Sequence, residues 1–252
     1  MKLIRSLSII LGLFLALTTS LPGTVHAEAG FCDFGTKVDE LKKIQTRVNP
    51  DDSLGVLAEL KIRKDLLKIS GGCLRKNAED LDSQLSLVRT TTPEGKAFIE
   101  WIHRQIQENI GFYSYKETQI DTLGLKGAKD MAKEFAARKL QADDQLEFII
   151  QSILDWNSNQ VLFETGAKRF SDIKKTLDAF KLPADHEIIV LEKEAVAIFQ
   201  EASLENQNAW KDFANHEVDA GREKTKSSLE KLAKAYTVFL EISEVSKKTL
   251  PL

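Results

Sequence analysis

Glu100-Trp101-Ile102-His103 sets a carboxylate and an imidazole one helical turn apart. Di-metal helical bundles use this spacing when two such pairs and two further glutamates converge from four helices. The chain has one such pair, because His186 and His216 lack a glutamate three residues earlier. Half of the ligand set for a metal-dependent bundle enzyme is therefore missing. Asp212 and His216 stand four apart, and two ligands are fewer than a stable zinc site needs. That spacing predicts a local pair on an exposed helix face.

Gly124-Leu125-Lys126-Gly127 could present free backbone N–H groups to an anion, but no strand precedes it, as phosphate loops require. It predicts a helix start. Gly-x-Ser-x-Gly is absent, and Cys32 and Cys73 are assigned to a disulfide. The sequence thus assigns no catalytic, metal or cofactor-binding residue, and a non-enzyme is expected. The one candidate ligand pocket is aromatic: Trp101, Phe112, Tyr113 and Tyr115 lie close together in the chain.

What must position these residues is helical. Proline is scarce, and Pro50, Pro93 and Pro183 fall where helical patterns stop or restart. No window sustains the alternation of a strand. A first helix is expected over about 36–48, a turn at Asn49 to Asp52, and a second helix from Ser53 to about Ile69, ended by Gly71-Gly72. That hairpin returns Cys73 toward Cys32. A third helix is expected over about 74–89. A fourth starts at Pro93, capped by Thr92, with Phe98, Ile102, Ile106 and Ile110 on one face. Gly111 to Tyr115 interrupts it as either a bend or a loop.

From Leu125 to Lys181, steps of three and four residues give 17 positions, of which all but Lys139, Gln160, Lys174 and Lys181 are apolar. A heptad seam of this length predicts a long coiled-coil-like helix; Asn157 to Asn159 and Thr165-Gly166 are the places where it could break, yet the phase survives both. The seam resumes after Pro183 at Ile188, Leu191, Ala195, Ile198 and Ala202. It loses phase at Glu205 to Asn208, and a second frame runs through Val218, Thr225, Leu232, Ala235, Phe239 and Ile242. This predicts a second long helix folding back, with a stutter or bend between Asn206 and Gly221. The expected fold is all-α, an elongated antiparallel helical bundle. Its expected parts are a signal peptide over 1–27, a disulfide-stapled hairpin plus third helix over 28–92, and a long-helix bundle over 93–252, the last two either separate or one continuous domain.

The first 27 residues have the order of an export signal: Lys2 and Arg5, an apolar stretch from Leu7 to Leu17, a Pro22-Gly23 break, and Val25-His26-Ala27. Cleavage is expected between Ala27 and Glu28. An exported location suits a Cys32–Cys73 bridge. Removing that segment leaves 33 of the 35 basic residues against 38 acidic ones, in no like-charge run longer than two. Nucleic acid and anionic membrane surfaces need a clustered positive field, so neither is an expected partner. The best apolar run after the signal, Phe148 to Leu154, is far too short to span a bilayer. The expectation is an exported, non-enzymatic protein of the cell envelope that meets a protein partner or itself through long helices. The alternative is a sensor-like bundle that binds a small molecule.

Overall fold

In the computed structural model of the protein, residues 32, 34–47 and 53–249 are described. The export signal, its Ala27–Glu28 junction and the Asn49–Asp52 turn lie outside them. The described residues are helical and contain no strand. The elements are α1 (Gly35–Arg47), α2 (Ser53–Leu85), α3 (Pro93–Gln119), a 3₁₀ turn (Ile120–Thr122), α4 (Leu125–Arg138), a π-turn (Lys139–Asp143), α5 (Asp144–Ala179), α6 (Glu187–Ala214) and α7 (Val218–Thr249). Two compact units divide between Gln151 and Ser152, inside α5, rather than at residue 92. The reason is that α2 packs on α1, α3 and α4, which binds both sides of residue 92 into one core.

In the N-terminal unit α2 runs unbroken through Gly71-Gly72, where the sequence predicts a helix end. No glycine among the described residues has positive φ, so neither serves as a left-handed cap. Gly71 is buried instead. A Cβ there would lie 3.2 Å from Glu117 Cγ on α3 and 3.3 Å from Phe135 Cε2 on α4. The small residue lets three helices approach closely. Cys73, two residues further, is bonded to Cys32 with the Cα atoms 5.5 Å apart, so the bridge meets the middle of a helix and not its end.

Helix α3 starts as expected. Thr92 is extended, its hydroxyl accepts from the Gly95 N–H at 3.1 Å, and Pro93 fills the first turn. The helix passes through Gly111 to Tyr115 without a break. Phe98, Ile102 and Ile106 are buried on its inner face, and a second cluster joins Leu67, Tyr113, Ile120, Ala128, Met131 and Phe135.

The long seam is interrupted at a place other than those the sequence marked. The break is the π-turn, which opens at the polar seam position Lys139; α5 then continues through Asn157 to Asn159 and through Gly166. Both of those sites are used in packing. Asn159 donates to the Thr225 carbonyl at 3.2 Å, and a Cβ on Gly166 would come within 2.8 Å of the Phe199 ring.

In the C-terminal unit α6 begins at an N-cap made by His186, whose Nδ1 accepts from the Ile188 N–H at 3.3 Å. The expected second long helix is two helices. α6 stops at Ala214, the chain reverses with His216 at φ 65°, and α7 starts at Val218. Contacts pair Phe213 with Gly221, Asn206 with Ser228, and Glu205 with Lys231. Each step back along α6 meets a step forward along α7, so the two run antiparallel. Phe170 and Leu177 of α5 complete the core with Ile188, Ala195, Ala235, Val238, Phe239 and Ile242.

Candidate functional site

Two features of the N-terminal unit hold polar groups where a ligand or a proton could act. The first is an open groove of about 420 Å³ between the end of α2 and the first half of α3. Leu85 and Ile99 form its apolar part, and Asp82, Ser86, Glu100, His103 and Arg104 supply the polar groups. Glu100 and His103 are thus both in the groove, as their spacing places them on one face. The imidazole, however, takes its partner from the other helix: His103 Nδ1 lies 2.6 Å from Asp82 Oδ1. Gln107 Nε2 donates to the second oxygen of the same carboxylate at 3.1 Å. Asp82 is thereby fixed between two side chains of α3, and the other nitrogen of His103 remains for a visitor. Among the described residues no group of three or more His, Cys, Asp or Glu side chains is arranged to hold a metal ion.

The second feature left almost no mark in the sequence. Tyr113, fully buried, donates its hydroxyl to Asp143 Oδ2, and Asn109 Nδ2 donates to Asp143 Oδ1 at 2.7 Å. Arg138 donates from Nε to Asn109 Oδ1 at 2.8 Å, and again from Nη2 to the same oxygen. Its guanidinium also lies over the Phe112 ring, 5.2 Å from the centroid. Burial pushes the Asp143 carboxyl above its ordinary range, against the Tyr113 hydrogen bond and the charges of Arg138 and Lys139, which favour ionisation. Burial, reinforced by the neighbouring carboxylate, also pushes the Tyr113 phenol up, so it stays protonated and donates. Beside this network is a cavity of about 30 Å³ lined by Asn77, Asn109, Lys139, Asp143 and Glu147 together with aliphatic side chains. It has room for an ordered water. The only sequence signal of the network was the polar seam position Lys139, which opens the turn and pairs with Asp144 at 2.5 Å.

The four aromatic residues expected to form a pocket do not converge. Phe112 and Tyr113 pack edge to face with each other and with Phe135. Trp101 stacks on Phe98 one turn away, and Tyr115 is 62% exposed. None of the four lines either cavity described above. Asp212 does not stand on the exposed face expected from its spacing to His216. Asp212 is buried and meets Lys224 of α7 at 2.6 Å. His216 lies past the end of α6, where helical spacing no longer applies. Gly124 is the N-cap of α4, and Gly127 packs under Leu123, whose Cδ2 would lie 3.1 Å from an added Cβ. No helix among the described residues is long and apolar enough to cross a membrane. Comparison with family models, with curated proteins and with solved structures finds no match for the chain.

Proposed function

We propose that the chain is an exported, non-enzymatic binding protein of the cell envelope, and that the groove between α2 and α3 is where it receives a protein partner. The observation that carries this reading is the groove's make-up. An apolar floor of Leu85 and Ile99 sits beside Asp82, Glu100, His103 and Arg104, the arrangement of apolar centre and charged rim by which protein surfaces recognise one another. Export is supported by the order of residues 1–27 and by the Cys32–Cys73 bond, which belongs to an oxidising compartment.

The test fills or inverts the groove without touching the core. Ser86 and Arg104 are exposed, so Ser86→Trp and Arg104→Glu leave the fold intact while blocking the floor and reversing one rim charge. A partner captured from the native envelope by the wild-type chain and released by both variants supports the reading. Capture that is indifferent to both variants overturns it. A second reading, a small ligand in the same groove, is favoured by its volume, which falls in the range of small-molecule sites. That reading predicts a thermal shift with a small molecule that Ser86→Trp abolishes. Fractionation that leaves the chain in the cytosol, with residue 1 still its first residue, overturns export.

A further inference from the structure

The groove between α2 and α3 is rich in hydrogen-bond acceptors and short of donors, and Asp82 sets this pattern. An ionised carboxylate only accepts, so the His103 nitrogen 2.6 Å from it, Nδ1, carries the ring hydrogen. In the neutral imidazole Nε2 then presents a bare lone pair. The Ser86 hydroxyl donates to the Ser83 carbonyl at 2.6 Å, which leaves its oxygen to accept as well. Glu100 lines the same groove and has no hydrogen bond or ion pair among the described residues. Arg104, four residues on, is likewise unpaired and is the one lining side chain with hydrogens to offer. We propose that the groove seats a lysine or arginine side chain of the partner, its aliphatic stem on Leu85 and Ile99 and its charged head on the Glu100 carboxylate and His103 Nε2. This inference rests on the groove being the docking site.

Each part of the groove matches a part of such a side chain. Lysine and arginine carry methylene stems that cover apolar surface while the cation at the tip stays in water, and Leu85 and Ile99 supply that surface. An ammonium brings three donors and a guanidinium five, with no acceptor in either. That is the complement of a carboxylate, a bare imidazole nitrogen and a serine oxygen. With the imidazole neutral, Asp82 and Glu100 outweigh Arg104 in charge, so the local field also favours a cation. An acidic side chain would face both carboxylates and find donors only at Arg104. A purely aliphatic one would gain nothing from Glu100 or His103. Arg104 sets the limit on the partner. One helical turn from Glu100, about 6 Å along the axis at 1.5 Å per residue, it repels a second positive charge and pairs with an acid. The segment that fits therefore presents a base and an acid side by side rather than a run of bases.

The experiment uses the full chain and blocked amino acids, with NMR of the Glu100 carboxyl and the His103 ring as the readout. Nα-acetyl-lysine methylamide is expected to shift both signals saturably. The norleucine analogue, with nearly the same stem and no ammonium, should bind about fivefold more weakly, the upper end for an exposed ion pair. Glu100→Gln removes the charge at an exposed position and should weaken the lysine probe by about the same factor. Arg104→Glu should strengthen it. Ring-nitrogen NMR of the free chain should find the hydrogen on Nδ1 and none on Nε2 of the neutral imidazole. Equal binding of the two probes, indifference to Glu100→Gln, or a hydrogen on Nε2 overturns the proposal. Pentane-1,5-diamine brings a second cation against Arg104 and should bind less well than the blocked lysine; tighter binding assigns the groove to a free diamine and overturns the protein side chain. If Glu100→Gln does not fold, the probe comparison and the ring tautomer decide. Partner capture that Ser86→Trp abolishes, together with no preference for the lysine probe, leaves docking in place and removes the basic side chain alone.

Discussion

The α6–α7 hairpin and the π-turn between α4 and α5 both bury polar side chains, but by different means. Along the hairpin several polar side chains meet a partner across the helix pair. Asp212 meets Lys224, Glu205 meets Lys231, and the Asn206 side chain accepts from Ser228 while its backbone carbonyl accepts from Trp156 Nε1 at 2.9 Å. Glycine closes the gap: a Cβ on Gly221 would lie 2.8 Å from the Phe213 ring and 3.0 Å from the Ala209 carbonyl oxygen. At the π-turn, by contrast, one carboxylate serves two helices through a chain of side chains and has a cavity next to it. A matched ladder specifies one register. A carboxylate shared between two donors of one helix, with a small cavity at its side, is held by fewer packing contacts.

The contrast is sharpest where packing is tightest. Phe213 is fully buried, and Phe213→Ala is expected to cost about 3–5 kcal/mol, read as a lowered midpoint in chemical denaturation. Replacing Cys32 and Cys73 by serine should cost about 2–4 kcal/mol, since the bond closes a separation of 41 residues. Thermal unfolding with and without reductant checks this: reductant should lower the wild-type midpoint to that of the variant and leave the variant unchanged. The two glycines then separate the regions directly. Gly221→Ala presses on a backbone oxygen and should destabilise by about 1–3 kcal/mol. Gly71→Ala meets only side-chain atoms at 3.2–3.3 Å, and the helix-propensity gain of alanine, about 1 kcal/mol, should bring it near neutral. Equal losses for the two would erase the distinction drawn here.

The smallest expected effect concerns pH. Burial works against ionisation of Glu205, but hydrogen bonds from Lys231 and Ser227 and the nearby lysine charges hold its carboxyl below the ordinary value of 4.5. Its contribution is complete above pH 4.5 and is lost as pH falls through the depressed value. Asp143 has the opposite sign: its carboxyl is raised, so the folded state binds the proton more tightly, and acidification through that titration favours the fold. Glu205→Gln should therefore flatten the acid limb of the stability curve, while Asp143→Asn should steepen it. Guanidinium melts across pH 3 to 7 measure both.

Most of the helices were legible because periodicity and capping are local. Thr92-Pro93 marked the start of α3, Pro183 the turn before α6, and the second heptad frame the inner face of α7, where Thr225, Leu232, Ala235, Phe239 and Ile242 are buried. The misread place was Gly71-Gly72, whose composition resembles a helix end, while Asn159 and Gly166 were open candidates for a break that the helix passes through. Gly71, Asn159 and Gly166 are contact residues, and only a neighbouring helix reveals that. The Tyr113–Asp143 network joins residues 30 apart, and no spacing within one helix announces it. Glu100 and His103 do line a groove, as their spacing allowed, yet the carboxylate that orients the imidazole comes from Asp82, 21 residues earlier.

Because the Cys32 sulfur is joined to the middle of α2, the intervening polypeptide is a closed ring. A single protease cut anywhere inside it yields fragments that migrate as one species on a non-reducing gel and as two after dithiothreitol. That simple electrophoretic signature would report whether the ring has formed in the cell.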